Sequence, residues 1–366
     1  MISVMDFGDL ALTSVFPHAG ERAPNIPMHL MRCGSCDLMQ LEHDTDPGLM
    51  YRAGYGYKSG LNEMMVRHLH GIVSDLVAQV APGDSVLDIG CNDGTLLRHW
   101  MALAPGVKCF GIDPIGEAVD GAEVTADYFR VHDRRYKVIT SIAMFYDLPD
   151  PVTFAKDVAA CLQDDGVWAV EVGYAGTLHD GLWDGVCHEH LEYYGLHQII
   201  RIAHEAGMVV ASYRFTPTNG GSLLVMLRKG RPVPLAADAL AHERAWDWTR
   251  FADRVHASAG EIERAVAAFD DVYVLGASTK GNTLLQTCGF TAHDIACAVE
   301  RNPDKVGRFT PGSCIPIVTE DDAREDPPDA FLVLPYHFKT GILRREAALR
   351  ESGVKFIFPL PEVEVC

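Results

Sequence analysis

The chain has 366 residues, 48% of them hydrophobic and 22% charged, with 31 Lys and Arg against 50 Asp and Glu for a formal net charge of −19. That balance fits a folded chain of about two or three domains, and it excludes disorder and, in the absence of any Lys/Arg run, a groove that neutralises a nucleic-acid backbone. No stretch approaches the ~18 apolar residues of a membrane span, and Asp6 and Asp9 stand where a secretory signal would be basic, so a cytoplasmic protein without membrane or nucleic-acid partners is expected.

Ten cysteines are too few for a disulfide framework in so long a chain. Cys109, Cys161 and Cys297 lie in apolar runs as small hydrophobes, and only Cys33 and Cys36 form a C-x-x-C pair. From Ser85 onward, S-V-L-D-I-G, T-L-L-R-H-W-M-A-L-A, K-C-F-G-I-D, V-I-T-S-I-A-M, V-T-F-A-K-D-V-A-A-C-L and G-V-W-A-V-E-V-G alternate strand and helix patterns. This rhythm predicts a doubly wound α/β sheet. V-V-A-S-Y-R-F and S-L-L-V-M-L-R-K, joined by T-P-T-N-G-G, predict an antiparallel hairpin closing it, which suits a methyltransferase sheet better than a dehydrogenase one. G-R-P-V-P-L at 230–235 then punctuates the chain, and one helical stretch of about thirty residues bridges to a second, smaller α/β domain beginning at D-V-Y-V-L-G-A-S.

Chemistry concentrates in three places. The first is V-L-D-I-G-C-N-D-G-T-L-L, with Asp88, Gly90, Cys91, Asn92, Asp93 and Gly94. A dinucleotide loop keeps carboxylates away from its pyrophosphate, whereas Asp88 and Asp93 flank this one and suit a ligand with a cationic end. S-adenosylmethionine (SAM), with its sulfonium and ammonium, is such a ligand. Asp113 ends the next strand, about twenty residues on, where a carboxylate accepts both ribose hydroxyls. The bland alternative is a glycine turn with exposed acids.

The second place is W-D-G-V-C-H-E-H-L-E-Y-Y, containing Cys187, His188, Glu189, His190, Glu192, Tyr193 and Tyr194. A His beside a Glu serves as a general base, and Tyr hydroxyls can donate to an oxyanion. On a strand His188 and His190 would face opposite ways, so one of them reaches the substrate. A metal has only H-x-H here and lacks the H-E-x-x-H spacing; a helix cap with packed aromatics is the other alternative. The third place is G-A-S-T-K-G-N-T, with Gly276, Ser278, Lys280, Gly281 and Asn282. Amides at a strand-to-helix turn with one Lys favour a phosphate or diphosphate, and a tight structural turn is the competing reading.

C-x-x-C-x-L-x-Q-L, Y-G-Y-K-S-G-L-N, the two glycine loops, C-H-E-H-L-E-Y-Y and L-P-Y-H-F together resemble the SAM-dependent sugar C-methyltransferases over nearly the whole chain. The resemblance implies a zinc-binding-type N-terminal segment (1–70), a class I SAM-methyltransferase Rossmann-like domain (71–230), a helical bridge (231–268) and a smaller Rossmann-like nucleotide-sugar domain (269–366). It implies that Asp88, Gly90, Cys91, Asn92, Asp93, Gly94 and Asp113 hold SAM, that His190 with Glu189 removes a proton, and that Tyr57 lies near the sugar. Ser278, Lys280, Gly281, Asn282 and His337 would meet the substrate phosphates. Some members have Tyr where Cys187 stands, and Tyr193 or Tyr194 is the candidate replacement. Cys33 and Cys36 are half of a four-cysteine zinc site; zinc is lost, or held with two of His18, His29 and His43, or the chain continues upstream.

The expected reaction is transfer of the SAM methyl to a carbon beside the ketone of a nucleotide-diphosphate keto-sugar. A small-molecule O- or N-methyltransferase and a non-catalytic nucleotide-sugar-binding protein are the rivals. A monomer is compatible with the sequence.

Overall fold

The computed structural model describes residues 1–51, 57–231 and 237–366. The central sheet has seven strands in the spatial order Met208–Thr216, Ser222–Lys229, Leu162–Gly173, Tyr136–Ile142, Ser85–Ile89, Lys108–Ile112, Ala122–Thr125. Ser222–Lys229 runs antiparallel to both neighbours, and the five strands beyond it are mutually parallel. This is the α/β sheet of class I SAM methyltransferases, with the expected hairpin closing it. Val86, Leu87, Ile89, Val138, Ile139, Val167, Trp168, Ala169 and Val170 are buried, dividing between two hydrophobic clusters. Helices cover both faces of such a sheet, which is why its strands read as continuous apolar runs.

The helix Glu63–Leu76 opens on Asn62, whose side chain accepts from the Met64 N–H, and buries Met65, Leu69, Ile72, Val73 and Leu76 in the cluster that also takes Leu96, Leu97 and Trp100. Spacings of three and four residues put those side chains on one face. The expected boundary between 70 and 71 therefore falls inside a helix of the central domain.

The C-terminal sheet runs Ile317–Thr319, Cys297–Glu300, Val272–Leu275, Ala330–Val333, Lys355–Phe358, Glu364–Val365, parallel except for the last strand. The N-terminal sheet is antiparallel: Ile2–Ala11, Asn25–Arg32, Met39–Leu41 and, as its fourth strand, Glu192–Tyr193 from the H-E-H segment. Met5, Leu10, Phe16, Met28 and Leu30 share one core with Trp183, Val186, Leu191 and the C-terminal sheet.

The bridge is two helices, Ala237–Arg244 and Phe251–Val266, where one was expected. Asp247 Oδ1 accepts from the Thr249 N–H and hydroxyl at 2.9 and 2.7 Å, an Asx turn that competes with helix. Trp246 and Trp248 pack edge-on at 5.9 Å and both meet His179, pinning the break. Residues 232–235 of the expected punctuation, and Tyr55 and Gly56 of Y-G-Y-K-S-G-L-N, lie outside the described residues. Among the described residues no helix is long and apolar enough to cross a membrane.

Candidate active site

Two cavities meet at the carboxyl edge of the central sheet. The larger, about 410 Å³, is lined by Asp88, Gly90, Cys91, Asn92, Asp113, Asp127 and Asp147, with Tyr57 and Ser59 on its near wall. Asp88 ends its strand with 4% exposure and accepts from Thr140 Oγ1 at 2.6 Å. Burial pushes its carboxyl up to about 7, the condition of an acid awaiting a cation. Gly90 turns at φ 75° and donates to the Ile112 carbonyl at 2.8 Å. The next strand's Asp113 takes the Asn92 N–H on Oδ2 (2.8 Å) and the Ile115 N–H on Oδ1 (2.9 Å). Two amides orient this carboxylate and leave lone pairs for a pair of hydroxyls.

Asp93 is engaged within the protein. Its Oδ1 accepts from the Thr95 N–H and hydroxyl, and its Oδ2 from the Gly60 N–H at 2.7 Å, so it starts a helix and ties down the segment at 57–61. Gly94 is also structural: φ is 76°, and a Cβ there would stand 2.1 Å from Val119 Cγ2. Cys91 lines the cavity as a packed thiol that burial pushes up. Tyr57 lines this larger cavity rather than the acceptor side; its ring is 42% exposed yet enclosed by the cavity walls, and desolvation raises its phenol to about 12.

Asp147 supplies a test of what the cavity holds. One oxygen accepts from Tyr51 at 2.9 Å, the other, Oδ1, is buried without a hydrogen-bond partner, and burial with the Glu189 charge pushes the carboxyl far up. A buried carboxylate oxygen left unpaired is costly, and a cationic ligand such as SAM relieves it. The residues present fit SAM.

The smaller cavity, about 40 Å³, is lined among others by His190, Tyr193, Tyr146, Asp184, Lys280 and Tyr336. Residues 187–190 form a turn closed by the His190 N–H to the Cys187 carbonyl at 3.0 Å. His190 Nδ1 lies 2.9 Å from the Gly185 carbonyl. A carbonyl can only accept, so Nδ1 carries the proton and Nε2 is bare, the tautomer a base requires. Burial, with the Lys280 charge second, depresses this imidazole to about 3. The Gly185 carbonyl fixes the tautomer, and buried Glu189 raises Asp147, Cys187 and Tyr146.

His188 is fully buried and donates from Nε2 to the Ile26 carbonyl at 3.1 Å, so only one histidine reaches the cavity, through a turn rather than strand alternation. Tyr193 is 8% exposed, and its hydroxyl has no hydrogen-bond partner although it lines the cavity. Tyr194 belongs to the central core with its hydroxyl on Glu192. The turn is clamped from both sides: the Leu41 N–H donates to the Leu191 carbonyl at 2.8 Å, and Thr283 Oγ1 to the Val186 carbonyl at 2.7 Å.

The second glycine loop repeats the geometry of the first. Gly276 turns at φ 86°, its N–H donates to the Val299 carbonyl at 2.8 Å, and the Ala277 N–H reaches Glu300 Oε2 at 3.1 Å. Ser278 caps the helix Thr279–Thr287 by accepting from the Gly281 N–H at 3.0 Å. The helix itself has no partners for the Thr279 and Lys280 amides. Gly281 and Asn282 pack into the protein. A Cβ on Gly281 would lie 2.4 Å from Leu334 Cδ1, and buried Asn282 donates from Nδ2 to the Thr13 carbonyl at 2.7 Å. His337, depressed to about 3 by burial and then by Lys280, stays close to that lysine.

Sequence reasoning missed Tyr146, Asp147, Asp184 and Tyr336. The Tyr146 ring packs 4.4 Å from His190, between chain neighbours Met144 and Asp147 that line the larger cavity, so it lies beside both spaces. Tyr-Asp at the carboxyl end of an apolar run was a usable signal. The Tyr336 hydroxyl donates to Asp184 Oδ1 at 2.7 Å across 152 positions, for which no local signal exists.

The zinc expectation is not met. The Cys33 and Cys36 thiols are free, and the amides of Ser35 and Cys36, with a hydrogen bond from the Cys36 thiol, pull Cys33 down. His29 is held by Ser3 at 2.8 Å and Glu42 at 2.7 Å. Among the described residues no three possible ligands converge, whereas structural zinc takes four; the residues present do not fit it.

Family models match in two adjoining stretches, a methyltransferase domain over residues 65–213 and a C-methyltransferase C-terminal domain over residues 217–361. C-methyltransferase NovU of Streptomyces niveus is 29% identical over 93% of this chain and 87% of its own length. Ubiquinone biosynthesis O-methyltransferase of Actinobacillus pleuropneumoniae serotype 7 (strain AP76) is 33% identical over 23% of this chain and 44% of its own. Among solved structures, a complex of the Haloferax volcanii Trm112 methyltransferase activator with a methyltransferase overlays on 46% of this chain and 93% of its own, at 20% identity and a TM-score of 0.38. With the sheet order and the SAM-fitting cavity, the two domain matches and the NovU match identify the chain as a SAM-dependent C-methyltransferase.

Proposed function

We propose that the acceptor is a nucleotide-diphosphate keto-sugar, methylated at a carbon next to its ketone. The observation that carries this reading is the bare Nε2 of His190 in a small cavity, beside the Tyr146 ring and next to the larger cavity. Nε2 takes the proton from the carbon, the C–H electron pair moves into a carbon–carbon double bond, and the ketone oxygen becomes an enolate. The unpartnered Tyr193 hydroxyl donates to that oxygen. Asp88, Asp113 and Asp147 would hold SAM, whose sulfonium would give its methyl to the carbon, the C–S electron pair staying on the sulfur of the departing S-adenosylhomocysteine.

A diphosphate bound at the Thr279 and Lys280 amides adds negative charge beside Lys280 and offsets the smaller of the two effects that depress His190, burial being the larger. O- or N-methylation requires mainly positioning, so it leaves the fixed tautomer without a purpose. NovU is named a C-methyltransferase, which agrees with carbon as the acceptor.

Incubation with SAM and a panel of nucleotide-diphosphate 4-keto-sugars in deuterated water tests this. A gain of one methylene by mass, with deuterium exchange at the same carbon, is expected. Methylation at oxygen, or no turnover across the panel, would sink the proposal.

A further inference from the structure

Lys280 sits in the first turn of Thr279–Thr287, where its motif points to a phosphate contact. Its side chain goes elsewhere. It lines the small cavity with His190, Tyr193 and Tyr146, and Nζ gives one of its three N–H bonds to the Asn219 carbonyl at 3.3 Å. Among the described residues no carboxylate forms an ion pair with it. Of the two acids lining the same cavity, Asp184 has Oδ1 taken by Tyr336 and Glu192 accepts from the Tyr194 hydroxyl. The Lys280 charge acts on His190, His337, Asp184 and Cys187, four groups from two separate segments.

We propose that the Lys280 ammonium is a catalytic group that meets the acceptor's ketone oxygen and neutralises the charge arriving there as His190 removes the proton. The backbone amides at the start of its helix remain for the diphosphate, so one residue serves both ends of the acceptor, by its main chain and its side chain. The electron count closes without a further reagent: the C–H pair becomes the new double bond, the carbonyl π pair settles on oxygen, and the proton stays on His190 Nε2. Lys280 keeps its own protons and contributes charge only. A cation that lines the cavity and is tethered to the Asn219 carbonyl is already oriented before the reaction, the arrangement in which such groups act most strongly on a developing oxyanion. An acceptor without a carbonyl next to the methylated carbon gains nothing from it.

The inference rests on the keto-sugar reading, and its test separates the two. Lys280→Met and Lys280→Arg are compared with wild type for kcat, KM, deuterium wash-in at the acceptor carbon, and binding of a nucleoside diphosphate and of SAM by calorimetry. Lys280→Met is expected to lower kcat and wash-in together by about 100- to 1,000-fold. Nucleoside diphosphate affinity should stay within about threefold, and SAM affinity should be unchanged, which also shows that the variant folds. Lys280→Arg should recover part of the rate. A rise in KM and loss of diphosphate binding at unchanged kcat overturns the inference and makes Lys280 a phosphate anchor. A wild type that exchanges no proton with any keto-sugar instead overturns the underlying reading, and the inference falls with it.

Discussion

The Thr283 hydroxyl donates to the Val186 carbonyl at 2.7 Å, fastening the turn that carries His190 to the first helix of the C-terminal domain. Both groups are buried, so the carbonyl has no water to fall back on. Thr283→Val keeps the shape and removes the donor. It should cost about 1–3 kcal/mol in urea unfolding and lower kcat more than it weakens SAM binding. Unchanged kcat would show that the turn holds its geometry without this clamp.

His190→Asn keeps a side chain that can bond Gly185 but removes the base. SAM affinity should stay within about twofold, while methyl transfer and deuterium exchange at the acceptor carbon fall by about 100- to 10,000-fold. Calorimetry with SAM alongside a mass-based rate assay checks both halves.

Asp88 is held at about 7 by burial, above its ordinary 3.8. Its folded value is raised, so its contribution to stability is full below about 3.8 and is lost as pH rises through 7. Asp88→Asn should therefore raise the melting temperature of the ligand-free protein at pH 8 relative to pH 5. The same change removes a charged partner of SAM, whose Kd should rise at least about tenfold. Thermal scans at the two pH values, with and without SAM, separate these effects.

His337 moves the opposite way. Depressed from 6.5 to about 3, it binds its proton more readily unfolded, so it favours unfolding progressively as pH falls from about 6.5 toward 3. Between pH 7 and pH 5, His337→Asn should lose less of its urea midpoint than wild type. Parallel losses in the two proteins would mean that His337 is solvated.

What could be read along the chain divides by the range of the forces involved. The parallel strands and the loop from Asp88 to Gly94 announce themselves because burial on both faces and a left-handed turn leave local marks in composition. Asp93 and Asn282 carried the right chemistry at the right spacing yet are engaged within the protein, one by the Gly60 amide and the other by the Thr13 carbonyl, partners 33 and 269 positions distant. The break at 245–250 was hidden because Trp246 and Trp248 look like helix-face residues until a neighbour such as His179 appears beside them. The His190 tautomer depends on which carbonyl faces Nδ1, a matter of ångströms within the turn.

The pairing of Met39–Leu41 with Glu192–Tyr193 makes the two halves of the reaction separable in folding. Asp88 and Asp113, the acids we assign to SAM, stand at the carboxyl ends of adjacent strands of one sheet, so the floor of that cavity forms as soon as the sheet closes. The base acquires its geometry only when a strand from the beginning of the chain and a helix from its end have both docked on the same short segment. Damage at either end would therefore leave a protein that still takes up SAM and no longer spends it.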